Sequence, residues 1–251
     1  MSNDLNDLVQ GFRDPERYAR GRTDYPPAVV GLVAAELELR RDARILDIGA
    51  GTGMLSTPFL AAGFDLVAVE PLAELRHALT AAVGAGRVLD GTAEAIPLED
   101  GSVSAVVCGD AFHWFDRERA PAELHRVIAE GGGAAVVWRV PRPGPQTPWL
   151  GEVARLMEEV RPPHVGYDEH GRGIAAFTEH GGFTTPVRHE LPFERVSDAD
   201  GVVAYVASAS FVALLGEERR AVLLQDVRSV LPDGELRVPH VAELWITRRG
   251  G

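Results

Sequence analysis

Apolar residues along this chain fall into two repeating forms. Short unbroken runs at Ile45-Leu46-Asp47-Ile48, Leu66–Val69, Val103–Cys108 and Ala134–Trp138 read as strands buried on both faces. Between them, apolar residues recur every three or four positions, which predicts helices over 28–39, 54–62, 72–83 and 117–130. Arg87–Leu89 reads as a short third strand, and Gly131-Gly132-Gly133 as the stop of the fourth helix. Strands alternating with helices predict a mainly parallel sheet wrapped by helices. Past residue 139 the rhythm changes. Helices are predicted over 149–160 and 173–180, and Thr184–Glu194 alternates apolar and polar through Val187, His189, Leu191 and Phe193, as an edge strand does. Ser197–Asp200 then opens a helix containing Val202, Val203, Tyr205 and Val206, a long helix follows over 217–231, and Val238–Thr247 is the last strand.

The first strand carries the sharpest signal. It runs into Gly49-Ala50-Gly51-Thr52-Gly53, and the next strand ends on Glu70. Glycines at alternate positions let the backbone turn and approach a ligand with no Cβ in the way. A helix start beyond them presents unsatisfied N–H groups. The carboxylate at the end of the neighbouring strand is placed for two ribose hydroxyls, at close to the roughly 20-residue spacing of nucleotide-binding α/β units. A pyrophosphate fingerprint would need a third glycine at position 54, which is Met. That weighs against an NAD-dependent dehydrogenase.

Gly-x-Gly-x-Gly preceded by Asp47 resembles motif I of the class I S-adenosylmethionine (SAM)-dependent methyltransferases, where the turn wraps the amino-acid part of SAM. Three further stretches are similar to the type 11 group of that family. Tyr18-Ala19-Arg20-Gly21-Arg22-Thr23-Asp24-Tyr25-Pro26 matches a segment that folds over the cofactor there. Gly91-Thr92-Ala93-Glu94-Ala95-Ile96-Pro97-Leu98-Glu99-Asp100-Gly101-Ser102 matches the one that meets adenine, and His113-Trp114 matches a pair that follows the fourth strand. The resemblance is firm over 18–139 and architectural over 183–247. It implies an α/β, Rossmann-like sheet of seven mostly parallel strands with an antiparallel last strand, helices on both faces and a small helical cap. It also implies a single domain over 1–251, with its core at about 28–195 and 235–251 and its cap at about 1–27 and 197–233. The implied cofactor is SAM, leaving as S-adenosylhomocysteine (SAH). It would be held by Tyr18, Asp47, Gly49, Ala50, Gly51, Gly53, Glu70, Pro71, Thr92, Ala93, Glu94, Asp110, Ala111 and His113.

Composition narrows the chemistry. All 25 basic residues are Arg, so no Schiff base, P-loop lysine or tyrosine–lysine pair can operate. The same Ala/Arg/Gly-rich usage fits a high-GC bacterial source. A net charge of -12 argues against nucleic acid or an anionic membrane as partner. The single Cys108 excludes an internal disulfide and reads as a small buried hydrophobe. The acidic start shows no signal peptide and no run is long enough to span a membrane, so a cytoplasmic monomer or homodimer is expected. His164, His170 and His180 lack metal-ligand spacing, and no metal is expected. Arg22, Tyr25, Trp114, Trp138, Arg139 and Tyr205 suit a small planar or carboxylate-bearing acceptor. His113 has two readings: the base that takes the acceptor's proton, or a structural wall. Two functions also stay open: methyl transfer, and a protein that uses SAM as a scaffold without transferring its methyl.

Overall fold

The computed structural model describes residues 24–162 and 168–250. Tyr18, Arg22 and His164 lie outside them. Seven strands form one sheet: β1 (Arg44–Ile48), β2 (Asp65–Val69), β3 (Val88–Leu89), β4 (Val103–Gly109), β5 (Ile128–Pro141), β6 (Val187–Ser197) and β7 (Leu236–Arg248), in the order β3-β2-β1-β4-β5-β7-β6. Parallel ladders join β1 to β2 and β4, β2 to β3, and β4 to β5, and the last strands run antiparallel. The order reverses between β1 and β4, a switch point where open α/β sheets leave a crevice beyond the strand ends. Ile45–Ile48, Leu66–Val69 and Ala105–Cys108 are buried throughout, which accounts for their unbroken apolar sequence.

The described residues divide into two compact units. One comprises 24–139, 168–191 and 242–250. Around its strands lie α1 (Ala28–Glu36), α2 (Ser56–Ala61), α3 (Ala73–Val83), α4 (Arg119–Val127) and α6 (Asp168–His180). Each amphipathic helix turns a stripe inward, as α3 does with Leu75, Leu79 and Val83. The other unit comprises 140–162 and 192–241. It holds α5 (Pro148–Val160), α7 (Ala199–Ala207), α8 (Ser210–Ala213) and α9 (Glu217–Val230). Its core packs Val153 and Leu156 of α5 against Val206, Phe211, Val212, Leu223 and Val227. Asp198 starts α7 by accepting a hydrogen bond from the Gly201 N–H at 2.7 Å.

The junction of α4 and β5 differs from the sequence reading. The helix expected to reach Glu130 ends at Val127, and β5 begins at Ile128, so the three glycines lie inside the strand. Packing explains it. Val103 pairs with Ile128 but Ala105 pairs with Gly133, so β5 bulges between them. A Cβ on Gly132 would collide with the Ser104 carbonyl, and one on Gly133 with the Thr247 carbonyl. The glycines are there because neighbouring strands press on both. Among the described residues, no helix is long and apolar enough to cross a membrane.

Candidate functional site

Three turns leave the carboxyl ends of β1, β3 and β4, and most of the sequence-predicted cofactor residues stand on them. After β1, Gly49 and Ala50 both donate to the Val69 carbonyl, tying the turn to the end of β2. Gly49, Gly51 and Gly53 have φ of +66°, +59° and +89°. The three are not equivalent. A Cβ at Gly49 would press on Ala111 at 3.0 Å, and one at Gly53 on Leu79 at 2.9 Å, so those two are also closed by packing. At Gly51 none of the described residues stands within 4 Å of where a Cβ would be. Left-handed geometry, disfavoured for any side chain, is combined there with open space.

Glu70 braces this turn. One carboxylate oxygen accepts from the Gly51 N–H at 2.9 Å, and the other from the Leu72 N–H at 3.0 Å. Arg76 donates to the carbonyls of Glu70 and Pro71 and pairs with Asp90 at 2.9 Å. Burial raises the Glu70 carboxyl above its ordinary value, against the pull of those N–H groups and Arg76. Each carboxylate oxygen keeps a further lone pair for a ligand hydroxyl. Behind the turn, Asp47 is fully buried. Ser56 donates to its Oδ2 at 2.6 Å, while Oδ1 is buried with no hydrogen-bond partner. Burial lifts the Asp47 carboxyl to about 7, opposed by Ser56 and reinforced by the Glu70 charge. A buried acid with an unused oxygen beside an open glycine turn fits a ligand that brings a positive group and hydroxyls.

Thr92, Ala93 and Glu94 lie on the segment after β3. Ala93 is buried, and the Glu94 carboxylate accepts from the Asp116 N–H at 2.9 Å. Asp110 and Ala111 follow β4, and Phe112–Trp114 form a 3-10 turn. Asp110 sits at φ +52° and, among the described residues, accepts from the Arg139 backbone N–H at 3.0 Å, Arg139 Nε at 2.8 Å, Arg139 Nη2 at 2.6 Å and the Tyr25 hydroxyl at 3.2 Å. The Arg139 guanidinium lies 4.1 Å from the centre of the Tyr25 ring. Tyr25 enters this corner because Gly109 has no side chain; a Cβ there would strike its hydroxyl. Tyr25 and Arg139, read from sequence as acceptor-binding, are thus buried members of one cluster with Asp110. Trp138 is also buried, and its indole N–H points to His113 Nδ1 at 3.5 Å. Trp114 stacks obliquely on His113 at 4.9 Å. Tyr205 belongs to the other unit, where it meets His240 edge-on at 6.5 Å.

Ser56, Arg76, Glu123 and Arg126 support these turns and went unread in the sequence. The signal for the last pair is present: an acid and an arginine three apart on one helix. Cys108 is buried in β4, and burial raises its thiol well above its ordinary value, with the Asp47 charge adding to the effect. Among the described residues, no group of three His, Cys, Asp or Glu could hold a metal.

A doubly wound sheet with a glycine turn after β1 and an acid following β2 has the layout of nucleotide-binding α/β proteins. Known proteins narrow the class. A model of the methyltransferase domain matches residues 46–136. An uncharacterized methyltransferase of Mycobacterium tuberculosis is 36% identical over 218 residues, covering 85% of this chain and 82% of that one. The solved structure of a protein from Anaeromyxobacter dehalogenans, assigned as a type II methyltransferase, superposes with a TM-score of 0.67 at 26% identity, over 91% of this chain and 97% of that one. The fold is shared more widely: the [4+2]-cyclase SpnF superposes with a TM-score of 0.52 at 15% identity, over 92% of this chain and 84% of that one. The chain belongs to the type 11 group of class I SAM-dependent methyltransferases.

Proposed function

We propose that this protein binds SAM at the β1 turn and moves its methyl group to a small-molecule acceptor. The observation that carries the reading is the junction of Gly51 and Glu70: an open left-handed glycine whose N–H is held by a buried carboxylate. When bound, SAM supplies a sulfonium-activated methyl group. Glu70 would take the ribose hydroxyls on its remaining lone pairs, Asp47 would answer the ligand's positive end, and the Thr92–Glu94 segment would border the adenine. The Ala111–Trp114 turn and Trp138 would wall off water from the reacting end.

The chain's main contribution is then positioning, for which effective molarities allow about 7–11 kcal/mol. General-base help from His113 would add at most about 10⁴-fold. A bond from the Trp138 indole N–H directs the His113 Nδ1 lone pair away from proton acceptance, which favours the wall over the base. The Arg139 charge is answered by Asp110, so a carboxylate on the acceptor would pair with a different cation. We place the protein in the cytoplasm, as a monomer or homodimer.

Calorimetry with SAH and NAD in parallel tests the cofactor. Saturable SAH binding with none for NAD is expected, and tight NAD binding without SAH ends the reading. Transfer of a labelled methyl group to an acceptor then separates an enzyme from a protein that uses the cofactor only as a scaffold. The cyclase that shares the fold shows why the fold by itself does not decide this.

A further inference from the structure

Between Gly91 and Ser102 the chain has little regular structure, yet α4 grips it closely. Arg126 Nη1 donates to the Leu98 carbonyl at 2.8 Å and to Asp100 at 2.8 Å. Its Nη2 donates to the Ile96 carbonyl at 2.9 Å and to Glu123 Oε2 at 2.7 Å, and its Nε to Glu123 Oε1 at 2.8 Å. Glu123 also accepts from the Ile96 N–H at 2.9 Å, and the Gly101 N–H donates to the Arg126 carbonyl at 2.9 Å. One planar, five-donor group is therefore used to its full valence, oriented by a bidentate carboxylate and spread over three points of the loop. The other end of the loop is packed rather than bonded. A Cβ on Gly91 would press on Pro97 at 2.7 Å, and Ala93 and Ile96 are buried.

Thr92, Ala93 and Glu94 lie between these two restraints. The Arg126 side chain's hydrogen bonds go to Ile96, Leu98, Asp100 and Glu123, so it fixes the backbone that follows Thr92–Glu94. We propose that Arg126, oriented by Glu123, is a positioning residue for the cofactor's base: it holds 96–101 so that the Thr92–Glu94 segment keeps the shape that reads adenine. This rests on the SAM-binding reading above. It assigns base discrimination to a helix that reaches the site only through the loop. Few apolar groups anchor the segment otherwise, so loosening it should disturb recognition of the base more than folding of the sheet.

Titration calorimetry on the full-length protein tests this with SAH and its hypoxanthine counterpart, S-inosylhomocysteine, alongside thermal melts. Wild type should prefer SAH. Arg126→Lys keeps the charge but not the fork, so SAH should bind about tenfold more weakly. The preference over the inosyl compound should shrink with it, while the melting transition stays cooperative. Equal SAH affinity and equal discrimination in a folded Arg126→Lys variant overturn the inference. If wild type binds neither compound, the underlying cofactor reading has failed instead. Should Arg126→Lys lose its transition, Glu123→Gln carries the same comparison. A loss of about threefold is expected there, and unchanged constants overturn the inference.

Discussion

The turns after β1 and β4 leave neighbouring strands at the same edge of the sheet, and they are stiffened by opposite means. The β1 turn uses backbone. Its glycines sit at positive φ, its N–H groups are taken by Val69 and Glu70, and among the described residues no side chain stands over Gly51. The β4 turn uses side chains. Asp110 is itself left-handed and is held by Arg139 and Tyr25, with 8% and 4% of the Asp110 and Arg139 side chains exposed. The first arrangement leaves room where a ligand can lie against bare backbone; the second fills its corner. A ligand site and its buttress can thus stand side by side at one sheet edge, distinguished by which turn leaves space over its backbone.

Breaking the buttress should have the largest effect. Arg139→Met takes the guanidinium away from the buried Asp110 carboxylate, and should cost about 3–5 kcal/mol in denaturant unfolding. Asp110→Asn combined with Arg139→Met should cost less than the two single changes summed, because no lone charge remains. Additive losses would mean that the pair is not coupled. Next comes the brace of the open turn. Glu70→Ala removes the acceptor of the Gly51 and Leu72 N–H groups and, on the reading above, of the ribose, so SAH affinity measured by calorimetry should fall about a hundredfold.

Asp47 sharpens the comparison through pH. Its carboxyl titrates near 7 when folded, above the ordinary 3.8, so the folded state binds a proton that the unfolded state releases. The contribution of Asp47 to stability therefore falls as pH rises from about 4 to about 7 and levels off above that. Asp47→Asn should remove that slope and melt above wild type at about pH 8, by several degrees, while binding SAH more weakly. A melting-temperature difference between Asp47→Asn and wild type that stays constant over this window would contradict the assignment. The smallest effect is expected at His113. His113→Gln should slow methyl transfer by about tenfold or less if the turn only positions, whereas a loss nearer 10⁴-fold would make the imidazole the base.

Much of this was legible beforehand, and the exceptions share a cause. The β1 strand over Ile45–Ile48, the left-handed glycines after it and the position of Glu70 just beyond β2 follow from local pattern: an apolar run, permissive backbone, and an acid at a strand end. Gly131–Gly133 was misread as a helix stop because the same residue that ends helices also fits where two strands crowd a third, and only the Ser104 and Thr247 carbonyls distinguish the cases. Arg139 looked available to a substrate because its partner lies 29 residues away in sequence. Glu123 and Arg126 went unread because the loop atoms they bind lie 26 to 30 residues away in sequence. Long-range polar pairing leaves no periodic trace, and that is where sequence pattern is blind.

The central claim is that the open space over Gly51 is where the cofactor rests. Gly63 offers the matching control, since its φ is +93°, nothing stands within 4 Å of its Cβ position, and it precedes the start of β2 rather than following a strand's carboxyl end. Gly51→Val and Gly63→Val should therefore lose similar stability to backbone strain, about 1–3 kcal/mol each. Calorimetry with SAH should then find binding intact in Gly63→Val and reduced at least about a hundredfold in Gly51→Val. Equal SAH affinity in the two folded variants would contradict the account.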